Sequence, residues 1–391
     1  MSNKTRFGLI AGAALASALV LAVLAVSSAF SDSTDQCPSV ADQPRTGCPP
    51  PSGGTDVIIW SRYAEVSAMT EGQIDELTSY GVDGYSFQLS YVPGLGGSEA
   101  KFASTLSGAQ TFANNHPELK IYLSTRIRQH TVGAPMPLGS DSAWSTFATQ
   151  VGRMSDAAET SAIYGIGFDG EQAGPTPSLW ENSQHSPLSA AQAEAKAVER
   201  GQQIEAAIDN SVPIIQYYLH TEGSWNDNVQ CQVNDDCGGI FGNNLGNEWA
   251  EGLSSDGHEF TYIDSIFYKS PHTNVPCVYA SPCSTDAAKW ENAMRQNADG
   301  WDDLGLPSNA YVTPFIWLSN GPNATSRCNV GPPPPAFDAA RTPTQFLTQA
   351  TQANTWAQND LVAVYHQGPF FPANCDFEWS DYASGLLAAS D

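Results

Sequence analysis

Basic side chains are scarce in this 391-residue sequence: 16 Lys and Arg stand against 41 Asp and Glu, a formal charge of −25. Nucleic acid and anionic lipid need basic patches, so the charge balance argues against both partners. Histidine is also sparse, with seven residues and neither an H-x-H pair nor H-E-x-x-H. No C-x-x-C occurs, and the cysteines and histidines lack zinc spacing. There is no G-x-S-x-G elbow for a serine esterase and no P-loop. After the first apolar strand, where an open dinucleotide-binding sheet often carries a glycine-rich turn, the chain reads Trp60-Ser61-Arg62-Tyr63. No cofactor and no metal is expected.

Long apolar runs are limited to one. Lys4 and Arg6 precede the uncharged stretch Phe7–Val26, and Ser27-Ser28-Ala29 then offers a small-x-small cleavage pattern. Residues 1–29 therefore read as a secretory signal, with a retained membrane anchor as the alternative. Residues 30–54 form a Pro-rich tail, and 55–391 remain for a catalytic domain, expected to act as a monomer. Eight cysteines in an exported chain suggest disulfides. Short spacings favour Cys37–Cys48, Cys231–Cys237 and Cys277–Cys283, leaving Cys328–Cys375.

What is present is a recurring strand–helix unit. Apolar strands are expected at Asp56–Arg62, Asp83–Ser90, Lys120–Ile127, Ile163–Phe168, Val212–Leu219, Tyr262–Tyr268, Ala310–Leu318 and Leu361–Tyr365. Helical stretches lie between them, among them one capped by Thr70, then Ser98–Asn115, Asp141–Thr160, Ser189–Asp209, Asn247–Ser255, Ser284–Leu304 and Thr342–Asn359, with Trp379–Ala389 closing the chain. Eight such units predict an α/β fold, a (β/α)8 TIM barrel; an open doubly wound sheet is the alternative. The connections after strands five to eight are long and hold six of the eight cysteines, so long disulfide-stapled βα loops are expected at the functional face.

The strand ends supply the candidate site. Strand four ends in Asp169-Gly170-Glu171, two carboxylates that share a face if the strand continues that far. A glycosidic bond is cleaved by delivering a proton to its leaving oxygen while positive charge builds on the sugar carbon. Glu171 is the candidate acid, and Asp169, if ionised, would raise its pKa. Trp60, Tyr268 and Trp317 are candidate sugar-stacking faces; Arg62, Gln88, Arg126, His220, His366 and Gln367 are candidate hydroxyl binders. Strand seven has no carboxylate, so Glu222 is the first choice for a second catalytic acid, followed by Asp376 or Glu378. His220, His366 and Asp169 could instead form a metal set, and Asn226-Asp227-Asn228 or Asp235-Asp236 a calcium loop; exposed acids explain the latter equally well.

Gly165-Ile166-Gly167-Phe168-Asp169-Gly170-Glu171 resembles the strand-four motif of glycoside hydrolase family 18 chitinases and endo-N-acetylglucosaminidases, D-x-x-D-x-D-x-E. The resemblance implies Glu171 as acid and Asp169 as the residue orienting a substrate acetamido group. The two earlier aspartates of the motif are Tyr164 and Gly167 here, and the strand-six Tyr-Asp would correspond to Tyr268-Lys269. The expected function is a secreted, endo-acting hydrolase of a polysaccharide or glycoconjugate. The alternative is a non-catalytic barrel that binds polysaccharide or cell wall.

Overall fold

The computed structural model describes residues 54–89, 92–129, 134–170, 187–209, 211–217, 245–258, 260–267, 310–320, 343–357, 360–367, 370 and 378–390. The chain divides into two units, Met1–Pro49 and Pro50–Asp391, and all of the described residues belong to the second. The expected signal and tail segments, all eight cysteines and the helical stretch Ser284–Leu304 lie outside the described residues.

Eight strands close a barrel: β1 (Asp56–Arg62), β2 (Gly84–Gln88), β3 (Lys120–Arg126), β4 (Ile163–Asp169), β5 (Ile214–Tyr217), β6 (Phe260–Phe267), β7 (Ala310–Asn320) and β8 (Leu361–Gln367). Each pairs in parallel with its sequence neighbours, and β1 pairs with β8. This is the (β/α)8 architecture, not the open sheet. Such strands are covered on both faces, which is why β1 reads as the continuous run Val57-Ile58-Ile59-Trp60, all buried. A two-residue ribbon, Arg128–Gln129 against Ala134–Pro135, follows β3.

Around the barrel stand α1 (Glu71–Ser79), α2 (Glu99–Asn115), α3 (Asp141–Glu159), α4 (Ala190–Glu205), α5 (Gly246–Leu253), α6 (Pro343–Trp356) and, after a turn of 3₁₀ helix at Trp379–Tyr382, α7 (Ala383–Ser390). Their starts follow capping chemistry. The Gln73 side chain accepts from the Thr70 backbone N–H at 2.8 Å, and Gln192 does the same for Ser189 at 2.9 Å. Helices α4 and α5 touch at glycines: a Cβ on Gly201 would lie 2.7 Å from the Gly252 Cα. At the opposite face from the strand carboxyl ends, Lys120 pairs with Asp56, and the Thr55 N–H donates to the Ser390 carbonyl at 2.8 Å, tying the last helix under β1. No helix among the described residues is long and apolar enough to cross a membrane.

The barrel interior is aromatic. Trp60, Tyr122, Tyr217, Phe315 and Tyr365 form one buried cluster with Ile58, Ile215, Ile263 and Ala363. These residues, together with the register that sets Ser86 beside Trp60 and Gly165 beside Tyr122, establish which side of each strand faces inward, a parity on which every strand-end candidate depends.

Candidate active site at the end of strand four

Strand β4 alternates in a way that isolates one acid. Outward, Phe168 packs on Phe147 of α3 at 6.1 Å and on Trp249 of α5 at 6.2 Å between ring centroids. Inward come Gly165, Gly167 and Asp169. A Cβ on Gly165 would stand 2.6 Å from the Tyr122 ring, and one on Gly167 would collide with the Ser124 hydroxyl. The two glycines thus make room for Tyr122 and for the hydrogen-bonded hydroxyls of Ser86 and Ser124. From Gly165 onward, Asp169 is the one side chain that β4 sends inward.

Asp169 is fully buried. Its backbone is held on both sides: the Ile127 N–H donates to the Asp169 carbonyl at 3.0 Å, and the Gly170 N–H donates to the Tyr217 carbonyl at 3.0 Å. On the carboxylate, Oδ2 accepts from Arg126 Nε at 2.9 Å and from Gln88 Nε2 at 3.1 Å. Arg126 keeps 18% of its side chain exposed. Gln88 and Arg126, expected to bind sugar hydroxyls, thus each give one donor to Asp169. Arg126 also changes the expected influence of Asp169 on Glu171. A guanidinium against the carboxylate offsets part of the negative charge that was to act on its neighbour.

Tyr217, the last residue of β5, lies in register with Asp169. It is fully buried, and its hydroxyl has no hydrogen-bond partner among the described residues. Burial pushes the phenol well above its ordinary pKa; nearby Ser86 pulls the other way, and the Asp169 charge pushes it higher. Ser86 is close enough to act on the phenol, but its hydroxyl is bonded to Ser124, and no hydrogen bond of proper geometry reaches Tyr217. An unsatisfied buried hydroxyl costs about 1–3 kcal/mol. Trp60 Nε1 is likewise buried without a partner among the described residues. The Trp60 ring stacks on Tyr365 at 5.0 Å and 18° and meets Tyr217 edge-on at 6.3 Å. One face of this expected sugar platform is thus taken by Tyr365.

The remaining candidates separate. Arg62 points to its own neighbour, with Nη1 4.0 Å from Glu65 Oε1 and 55% of its side chain exposed. His366 lies on the opposite face of β8 from Tyr365, against Phe370 at 4.7 Å and Trp379 at 5.1 Å. It is buried in the outer layer, away from Asp169. Trp317 and Gln367 lie on β7 and β8, with their side chains outside the description. Glu171, Glu222, His220, Tyr268 and Asp376, with the two candidate calcium loops, lie outside the described residues. Glu378 precedes the 3₁₀ turn and accepts from the Ser380 hydroxyl at 3.4 Å. Among the described residues, no group of three or more His, Cys, Asp and Glu is placed to hold a metal.

The expected fifth strand, Val212–Leu219, contains Tyr217, but no role for that residue was read from the sequence, and the layer formed by Ser86 and Ser124 was missed. A signal was available: both serines stand two residues before a strand-end candidate, Gln88 and Arg126, and so share its face.

No protein-family model matches the chain, and no curated protein matches it. Solved structures similar to it include a GH5-4 broad-specificity endoglucanase from Clostridium longisporum, 12% identical with a TM-score of 0.46, covering 82% of this chain and 86% of that one. They also include a glycoside hydrolase family 18 N-acetylglucosaminidase from Paenibacillus barengoltzii, 8% identical with a TM-score of 0.45, covering 86% and 99%. A 7,8-dihydropteroate synthase from Vibrio fischeri is 10% identical with a TM-score of 0.36, covering 86% and 91%. The functional reading rests on this chain's own residues.

Proposed function

We propose that this protein is a secreted glycoside hydrolase that cleaves within a polysaccharide or glycoconjugate, with Glu171 as general acid and Asp169 as its anionic partner. One observation carries the reading. The carboxyl end of β4 sends a single inward side chain from Gly165 onward, and it is a buried carboxylate held by Arg126 and Gln88. Sites on this fold lie at that face of the barrel. Glu171 comes two residues later in the sequence.

The chemistry divides between the two acids. Glu171 protonates the leaving oxygen. Asp169 is a fixed negative group beside the sugar carbon that gains positive charge. Arg126 and Gln88 hold it in one position. Strand β7, Ala310–Asn320, carries no carboxylate at the place where many retaining barrels keep their nucleophile. The second group is then Glu222 or an acetamido group of the substrate itself. The enzyme works as a monomer outside the cell, after removal of residues 1–29, with disulfides stapling its long loops.

The empty β7 position also favours a second reading, a barrel that binds glycans without cleaving them. Glu171→Gln, assayed against a panel of polysaccharides, separates the two. Loss of product with binding retained supports the hydrolase. Wild type and variant binding alike, with no cleavage by either, supports the binding barrel.

A further inference from the structure

We propose that Tyr217 is a ligand-holding residue of this site, its hydroxyl donating to a neutral oxygen of a saccharide seated at the barrel mouth. The proposal rests on the glycan reading and adds a residue to it.

The backbone fixes where this side chain goes. Tyr217 is in register with Asp169, and its carbonyl is tied to the Gly170 N–H at 3.0 Å. Its side chain therefore enters the barrel beside the carboxylate, in the aromatic cluster with Trp60 and Phe315. The phenol is fully buried, yet its hydroxyl is unpartnered among the described residues. The polar groups beside it bond elsewhere, Asp169 Oδ2 to Arg126 and Gln88 and the Ser86 hydroxyl to Ser124, and none of them reaches the phenol with hydrogen-bond geometry. Trp60 Nε1 is a second buried donor without a partner among the described residues, and its ring meets the Tyr217 ring at 6.3 Å. Two orphaned donors in one cluster mark a place where acceptors arrive from outside the protein.

The surroundings select the acceptor. Burial and the neighbouring Asp169 charge keep the phenol protonated, so it acts as a donor at any working pH. The carboxylate disfavours an anionic ligand. The Trp60 and Phe315 rings, 6.3 and 5.3 Å from the Tyr217 ring between centroids, make its surroundings apolar. A neutral oxygen on a ring with apolar C–H faces, as in an uncharged sugar, meets these conditions.

The test is Tyr217→Phe, which removes the hydroxyl and keeps the ring. Binding of cellotetraose, xylotetraose, mannotetraose and chitotetraose is followed by tryptophan fluorescence, turnover by product release, and stability by thermal melting. On the saccharide that wild type recognises, the variant is expected to bind at least tenfold more weakly, with Tm unchanged or higher because an unsatisfied buried hydroxyl has gone. Binding within twofold of wild type overturns the proposal. So does a Tm lowered by several degrees with binding unchanged, the result of a hydroxyl bonded only to an internal water. A 3-fluorotyrosine label supplies a second readout in the unmutated fold: the resonance at position 217 must shift on saturation with that saccharide. If wild type binds but cleaves nothing and Tyr217→Phe weakens binding, the hydrolase reading fails and this one stands. If wild type cleaves and Tyr217→Phe is indifferent, only this one fails. A wild type that binds none of the four overturns it as well.

Discussion

Arg126 Nε donates to Asp169 Oδ2 at 2.9 Å across neighbouring strands, and Asp169 has no exposed surface. A buried pair of this kind gains little net stability, but losing one partner strands a charge. Arg126→Met is therefore expected to destabilise the barrel by about 3–5 kcal/mol. The double variant Arg126→Met/Asp169→Leu should recover most of that loss, giving a coupling well outside additivity. Urea unfolding of the two single variants and the double variant checks this; additive losses would show that the contact carries no coupling.

The same pair bears on turnover. If Asp169 is the fixed anion of a hydrolytic site, Asp169→Asn should lower kcat by roughly 10²–10³-fold. Glu171→Gln should lower it by about 10²–10⁴-fold, the usual worth of a positioned general acid. Both are measured on the polysaccharide that wild type cleaves best. A wild-type rate in Asp169→Asn would remove Asp169 from the chemistry.

The glycines of β4 give a stability contrast. Gly167→Ala would place its Cβ 3.1 Å from the Ser124 Cβ and 3.2 Å from Ile215 Cγ1, forcing the Ser86–Ser124 pair apart. A loss of about 1–3 kcal/mol is expected from this overpacking. Gly152, inside α3, has only the Ala207 carbonyl oxygen near its open side, at 3.7 Å. Gly152→Ala should therefore stabilise by about 0.5–1 kcal/mol through helix propensity. Thermal melts of the two variants should move in opposite directions.

One surface contact sets a pH dependence. Hydrogen bonding from Arg200, its charge and then that of Lys196 hold the exposed Asp141 carboxyl below its ordinary pKa. A carboxyl depressed in the folded state stabilises fully above its unfolded pKa of about 3.9, and that contribution is lost as pH falls through the folded value. Asp141→Asn should thus have a lower Tm than wild type at pH 7, and the gap should close in strong acid. A gap that persists there would assign the effect to something other than charge.

Much of the barrel was visible in advance because its local rules are strong. Apolar strands such as Val57-Ile58-Ile59-Trp60 and capped helices such as the one after Thr70 arise from residue type and period. Boundaries were less exact. Strand β4 runs one residue further than expected, to Asp169, and β8 runs to Gln367, where its register against β7 shifts between Tyr365 and His366. A shift of that kind depends on what the neighbouring strand does, and a single segment carries no record of it.

The sequence alone determined the number of barrel strands, the placing of Asp169 at the end of strand four, and the shortage of basic residues. These depend on composition and periodicity, which are properties of the chain itself. Only the tertiary structure decided that Asp169 is paired with Arg126 and Gln88, that His366 turns to the outer layer, and that Tyr217 stands beside Asp169 with its hydroxyl unpartnered among the described residues. Each of these depends on strand parity and on which residues closure of the barrel brings across from neighbouring strands. In sequence, Gln88 is 81 positions from Asp169 and Arg126 is 43; parallel pairing brings both to one of its carboxylate oxygens.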